Sequence, residues 1–145
     1  MSLAILDTSI YIDHWERGKH LQTLALVRQR FVVRQSAVVL SELRRGARTK
    51  AAARLVESLH RLAPVIWEPT REDWWHAGKL IRSIGDAQNW ETSKRREFQN
   101  DALIALTALR HGAIVVTTNA RDFELLSRAL KLKVMFVTGQ EEGAK

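Results

Sequence analysis

Short apolar runs, too brief to be helices, alternate along this chain with longer segments whose apolar residues recur at helical spacing. Few folds accommodate such a pattern. Residues 3–6, 31–33 leading into 36–38, 65–67, 113–116 and 134–137 read as buried strands. Between them, Leu21, Leu24, Ala25 and Arg28 share one helical face, and a short helix follows the second run and stops at Gly46. Leu55, Val56, Leu59 and Leu62 mark another helix. Thr70-x-x-Asp73 has the spacing of a capping box and opens a helix expected to point Trp74, Ala77, Ile81 and Ile84 inward. Residues 85–97 read as a polar loop or frayed helix end, and 98–111 as a helix so apolar that most of its sides are buried. A last helix covers 122–130. Strands that alternate with helices predict a three-layer α/β/α fold around a parallel sheet of about five strands. One domain over residues 1–138 accounts for the pattern, followed by a polar tail at 139–145.

The chain has no cysteine, which excludes disulfides, thiolate metal sites and a cysteine nucleophile and fits a cytoplasmic protein. Residues 1–7 lack a basic segment and a long apolar stretch, so no signal peptide is expected. No run approaches the ~20 apolar residues of a membrane span. The formal net charge is +7, but it is unevenly placed: residues 16–61 hold eleven Lys and Arg against three acids. A one-sided basic stretch suits an anionic partner, nucleic acid first, although solvated helix faces also produce one.

In an open parallel sheet the functional crevice lies beyond the carboxyl ends of the strands. Acids recur there. Asp7 follows the first strand directly, Glu42 lies in the short helix after the second, and Asp122 sits a few residues past the fourth. Asp101 opens the most apolar helix. Right-handed crossovers bring Asp7 and the 117–123 segment to one sheet edge. Each acid alone has a plain structural role: a helix cap for Asp7 or Asp122, an i,i+3 pair with Arg45 for Glu42, a favourable helix N-terminus for Asp101. Capping does not explain why acids gather at strand ends in a basic chain. Several carboxylates in one pocket stay ionised only around a cation, and a hard divalent ion with oxygen ligands is the natural one. Together with a basic surface, that reads as metal-dependent hydrolysis of a phosphodiester.

Four segments resemble the motifs of the PIN-domain ribonucleases, and among them the VapC-type toxins of type II toxin–antitoxin modules. Ile5-Leu6-Asp7-Thr8-Ser9 is similar to the first motif and Ser41-Glu42-Leu43-Arg44-Arg45-Gly46 to the second. Asn100-Asp101-Ala102-Leu103-Ile104-Ala105 resembles the third, and Val116-Thr117-Thr118-Asn119-Ala120-Arg121-Asp122-Phe123 the last. They occur in the family's order over about residues 3–137. The resemblance implies catalytic acids at Asp7, Glu42, Asp101 and Asp122, with Asp7 and Asp101 holding the metal directly, and Thr117 and Asn119 lining the site. It implies Mg²⁺, with Mn²⁺ able to substitute, endonucleolytic cleavage of RNA, inhibition of translation, a homodimer and an antitoxin partner. Asn119 stands where many relatives have Asp; an amide adds no negative charge, so a second ion is expected to be held weakly.

Around these acids, Arg44, Arg45, Lys94, Arg95 and Arg96 are candidate contacts to the RNA backbone. Trp67, Trp74 and Trp75 suit a core or dimer interface, while Trp15 and Trp90 are placed either for partial burial or for stacking on a base. The five histidines show no metal-ligand spacing and are given no catalytic role. Two other classes compete. A non-catalytic PIN-like module would bind RNA or protein without cutting; a DNA nuclease would use the same chemistry. A response receiver is disfavoured because only Glu68 and Pro69 follow the third strand, where a phospho-accepting Asp is needed.

Overall fold

The computed structural model describes residues 1–138; the tail expected at 139–145 lies outside the described residues. Strand β1 (Ser2–Leu6) is central, with Ala4, Ile5 and Leu6 almost fully buried. It pairs in parallel with β2 (Phe31–Val33) on one side and with β5 (Ile114–Thr117) on the other, and β6 (Val134–Phe136) adds beyond β5. The order is β2-β1-β5-β6. Continuous apolar strands such as Ala4-Ile5-Leu6 and Ile114-Val115-Val116 are what a sheet covered by helices requires.

Among the described residues the central sheet therefore has four strands where about five are expected. The 65–67 run forms β4 (Ile66–Trp67), which pairs with β3 (Gln35–Ser36) in a separate two-stranded ribbon. Pro64 and Pro69 bracket this run, and proline cannot donate to a ladder, so little backbone remains to pair. The Arg34 backbone N–H still donates to the Ala4 carbonyl at 2.8 Å; past that point the chain leaves β1. Residue 38 is likewise helical. Ser36 Oγ accepts from the Val39 backbone N–H at 3.3 Å and caps α3 (Ala37–Gly46), so the 36–38 run ends as a helix start.

Helix α1 (Thr8–Arg17) follows β1 directly, and α2 (Leu21–Arg30), α4 (Lys50–Leu62) and α7 (Ala120–Leu130) match their patterns closely. The predicted loop at 85–97 is a correction. Helix α5 (Arg71–Gln88) runs on to Gln88 and α6 (Thr92–Arg110) begins at Thr92. Only residues 89–91 join them, with Asn89 at φ +58° in the left-handed region that lets the chain turn sharply. Asp101 consequently lies in the middle of α6, not at its start, and the helix dipole does not favour its charge there.

Helix α6 is the spine of the core. Phe98 and every residue from Ala102 to Ala108 are buried, and α6 packs on β5, α3, α5 and α7. The Thr70–Asp73 capping box forms as expected. It sets the rotation of α5 so that Asp73, Ala77 and Ile84 face inward and Ile81 is half-buried. Trp74 falls about 100° away from Asp73 on the helix, and is 52% exposed; Trp75 is 85% exposed. Neither is a core residue. Among the described residues no helix is long and apolar enough to cross a membrane.

Candidate active site

The ends of β1 and β5 lie side by side, and the backbone N–H of Asp7 donates to the Val116 carbonyl at 2.8 Å. This pairing carries Asp7 and Thr117 to the same point on the sheet edge. Thr117 Oγ1 donates to Asp7 Oδ2 at 2.7 Å, and Ser9 Oγ donates to the same oxygen at 3.1 Å. Asp7 occupies the N-cap position of α1, yet its carboxylate is spent on these hydroxyls rather than on closing the helix's first turn. Ser9 Oγ also accepts from the Thr118 backbone N–H at 3.2 Å, tying the two strand ends together.

Glu42 comes from α3. Thr8 Oγ1 donates to its Oε1 at 2.6 Å and Asn100 Nδ2 to its Oε2 at 3.2 Å. The i,i+3 pair with Arg45 does not form; Glu42 is held toward Asp7 by the residue that follows Asp7. Asn100 precedes Asp101, so the same bond draws α6 to this side.

On the other flank, Asn119 caps α7, its Oδ1 accepting from the Asp122 backbone N–H at 3.4 Å. Its Nδ2 donates at 3.3 Å to both Asp101 Oδ2 and Asp122 Oδ2. Asp122 is buried and accepts from a single ammonium at both oxygens: Lys94 Nζ lies 3.0 Å from Oδ1 and 2.9 Å from Oδ2. Lys94 is held from above by Trp90, whose ring centroid is 5.1 Å from Nζ, and by Phe98 at 5.9 Å.

All six predicted acid and lining positions therefore meet in one place. Asp101 stands among the other three acids. Burial, then the charges of Asp7, Asp122 and Glu42, push its carboxyl up to about 8, with Lys94 acting in the opposite direction. Burial also pushes Asp7 up, against the Thr117 hydrogen bond that favours its charged form. No three His, Cys, Asp or Glu side chains among the described residues are set as a ready-made metal cage. The donor chemistry nonetheless fits a hard divalent cation: every group is an oxygen donor, and the carboxylates around Asp101 repel one another until a cation intervenes.

The basic candidates divide. Arg45 lines a groove with Trp74 and with Asn100, which donates to Glu42, whereas Arg44 lines a neighbouring groove with His60 and Arg61. Arg95 is engaged by Asp86 at 3.0 Å and by the Trp90 carbonyl at 3.0 Å. Arg96 is exposed. Lys94 is inside the acid pocket instead of on the surface. Trp90 packs edge-on against Phe98 at 4.8 Å and Trp15 is tilted against Tyr11 at 5.4 Å, and both are half-buried. Sequence reasoning missed Thr8, Ser9 and Asn100 as holders of the acids. All three lie inside the motifs, and their hydroxyl or amide groups beside Asp7 and Asp101 were the available signal.

The family model of the PIN domain matches residues 4–129. No curated protein sequence matches the chain significantly. Solved structures with a similar fold include VapBC2 from Rickettsia felis bound to a DNA fragment from its promoter, at 21% identity and a TM-score of 0.66, covering 93% of this chain and 98% of that one. VapBC-1 from nontypeable Haemophilus influenzae is similar at 21% identity and a TM-score of 0.67, covering 92% and 97%. VapBC-5 from Mycobacterium tuberculosis, a member of the VapBC family of toxin-antitoxin systems, follows at 21% identity and a TM-score of 0.61, covering 94% and 100%.

Proposed function

This chain belongs to the PIN domain family, and from that membership and its acid pocket we propose that it is a Mg²⁺-dependent endoribonuclease that serves as the toxin of a toxin–antitoxin pair. One observation carries the reading: Asp101 on α6 is surrounded by the charges of Asp7, Asp122 and Glu42, carboxylates delivered by three other elements to the sheet edge. Capping needs no such convergence.

Asp7 and Asp101 would hold the ion. When bound, it supplies a water of lowered pKa and balances charge on the scissile phosphate. The rest falls to the chain. Thr117 and Ser9 fix the Asp7 carboxylate so that its orientation survives substrate exchange. Glu42, clamped by Thr8 and Asn100, accepts a proton from the attacking water or orients it. Asn119 aligns Asp101 with Asp122. Arg45, in the groove that Asn100 lines, and the exposed Arg96 bind the RNA backbone.

The partners follow from the same reading. The toxin–antitoxin system named for VapBC-5 supports an antitoxin that covers the site. Trp75, 85% exposed beside Trp74 on α5, supports a homodimer, for which sedimentation at micromolar concentration should give twice the chain mass. Inhibition of translation and a cytoplasmic location complete the proposal.

The test is cleavage of purified total RNA, with a DNA control, by wild type and by Asp7→Asn. Discrete RNA products with Mg²⁺ or Mn²⁺ are expected, none with EDTA, and a loss of roughly 10²–10⁴-fold in Asp7→Asn. Well-folded protein that binds RNA equally with and without Asp7, and never cuts, would establish the non-catalytic module instead.

A further inference from the structure

The two flanks of the acid pocket differ in how their charge is compensated. Asp7 and Glu42 are held by neutral groups only: the hydroxyls of Thr117, Ser9 and Thr8, and the Asn100 amide. Asp122 is held by a cation. Both of its oxygens take an N–H from Lys94 Nζ, at 3.0 and 2.9 Å, and Oδ2 takes a further N–H from Asn119 Nδ2 at 3.3 Å. That amide also faces Asp101 Oδ2 with a proton, while Asn119 Oδ1 is turned to the Asp122 backbone. On this flank, hydrogens rather than lone pairs point at the carboxylates.

Lys94 is not a surface lysine that happens to lie nearby. Its side chain is only one-third exposed, and its ammonium sits over Trp90 and Phe98, with Trp90 packed on Phe98 at 4.8 Å. Such a seat fixes a long, flexible stem. The seat depends on α6 beginning at Thr92: seven residues, close to two turns, separate Lys94 from Asp101 and set both on one helical face.

We propose that Lys94 is the pocket's resident second cation, a positioning residue that neutralises Asp122 and restricts the site to one divalent ion on the Asp7–Glu42–Asp101 flank. The inference rests on the carboxylate metal-site reading above and goes beyond it. An ammonium within 3.0 Å of both Asp122 oxygens occupies the position from which that carboxylate would bind a metal, and it repels a second divalent ion at close range. Asn119, neutral where a fifth carboxylate would carry charge, leaves nothing to offset that repulsion.

Manganese binding tests this without reference to catalysis. Full-length wild type, Lys94→Met and Lys94→Arg are titrated with Mn²⁺ by calorimetry and by loss of the free-ion EPR signal, after circular dichroism has matched their melts. Wild type and Lys94→Arg should each bind one ion per chain. Lys94→Met, which keeps the stem but loses the charge, should bind two. One ion in Lys94→Met, at any affinity, overturns the role of Lys94 and leaves the metal site standing; two in wild type do the same. No Mn²⁺ bound by any of the three overturns the metal-site reading and this inference with it. Should Lys94→Met melt early, Lys94→Gln serves as the neutral variant and the same stoichiometry decides.

Discussion

At Asp101 burial and three neighbouring carboxylates act in one direction, and the consequence is a pH dependence with a definite sign. In the fold the carboxyl is pushed up to about 8, against 3.8 for a free Asp. Between those limits the folded chain keeps a proton that the unfolded chain has released. The stabilisation from that proton is fully present at low pH, falls as pH rises through this window, and is gone above about 8. In EDTA, wild type should therefore lose stability relative to Asp101→Asn as pH is raised from about 5.5 to about 8.5, by on the order of 10 °C in melting temperature. Mn²⁺ should restore more of this loss at the alkaline end, because metal and proton compete for the same carboxylate. Wild type and Asp101→Asn melts that run parallel across the range would show that Asp101 is not a strained acid.

The joint between α5 and α6 ties the element scale together. Thr70 Oγ1 accepts from the Asp73 backbone N–H at 3.1 Å, and the Asp73 carboxylate returns a bond to the Thr70 N–H at 3.0 Å. Asp73 Oδ2 also receives two bonds from Arg110, at 3.2 and 3.1 Å, while Arg110 reaches the Glu68 carbonyl at 2.8 Å. The start of α5 is thus pinned to the end of α6. Thr70→Ala loses one capping bond and should cost about 1 kcal/mol. Asp73→Ala removes both functions and strands Arg110, so about 2–3 kcal/mol is expected. Urea unfolding should report both losses with an unchanged m-value. The capping box was legible in four residues of sequence because its bonds are local. The polar first half of α6 was not. Residues 91–97 carry no apolar period, and their helicity is secured by the packing of Phe98 and by Lys94 and Arg95 finding Asp122 and Asp86, contacts distant in sequence. Reading that stretch as loop removed Lys94 from the face of Asp101, so the acids of the site were visible in the motifs and its cation was not. Residues 36–38 failed for the opposite reason: a short apolar run satisfies either period, and only the Ser36 cap decides for helix.

Charge governs the molecule as a whole. Of the eleven basic residues in 16–61, nine are exposed and Lys19 and Arg34 are half-buried. Only Arg17 has an ion-pair partner among the described residues, Asp13 at 2.6 Å. The positive charge is therefore not consumed internally, and a phosphate chain is the partner that releases most counterions on meeting it. Affinity for single-stranded RNA should fall as a power of salt concentration, with about 0.7 in the exponent for each phosphate contacted. Four contacts would lower affinity roughly 50-fold between about 50 and 200 mM salt. Fluorescence anisotropy with Asp7→Asn measures this without cleavage. Arg45→Ala, on the groove lined by Trp74 and Asn100, should reduce the exponent by about 0.7 and weaken all sequences alike. Arg44→Ala, facing the groove on the α4 side, should alter it less if the RNA enters beside Trp74. A salt response that is flat in wild type would mean that these arginines serve solubility or the protein partner, and that the RNA is held by the acid pocket and its metal alone.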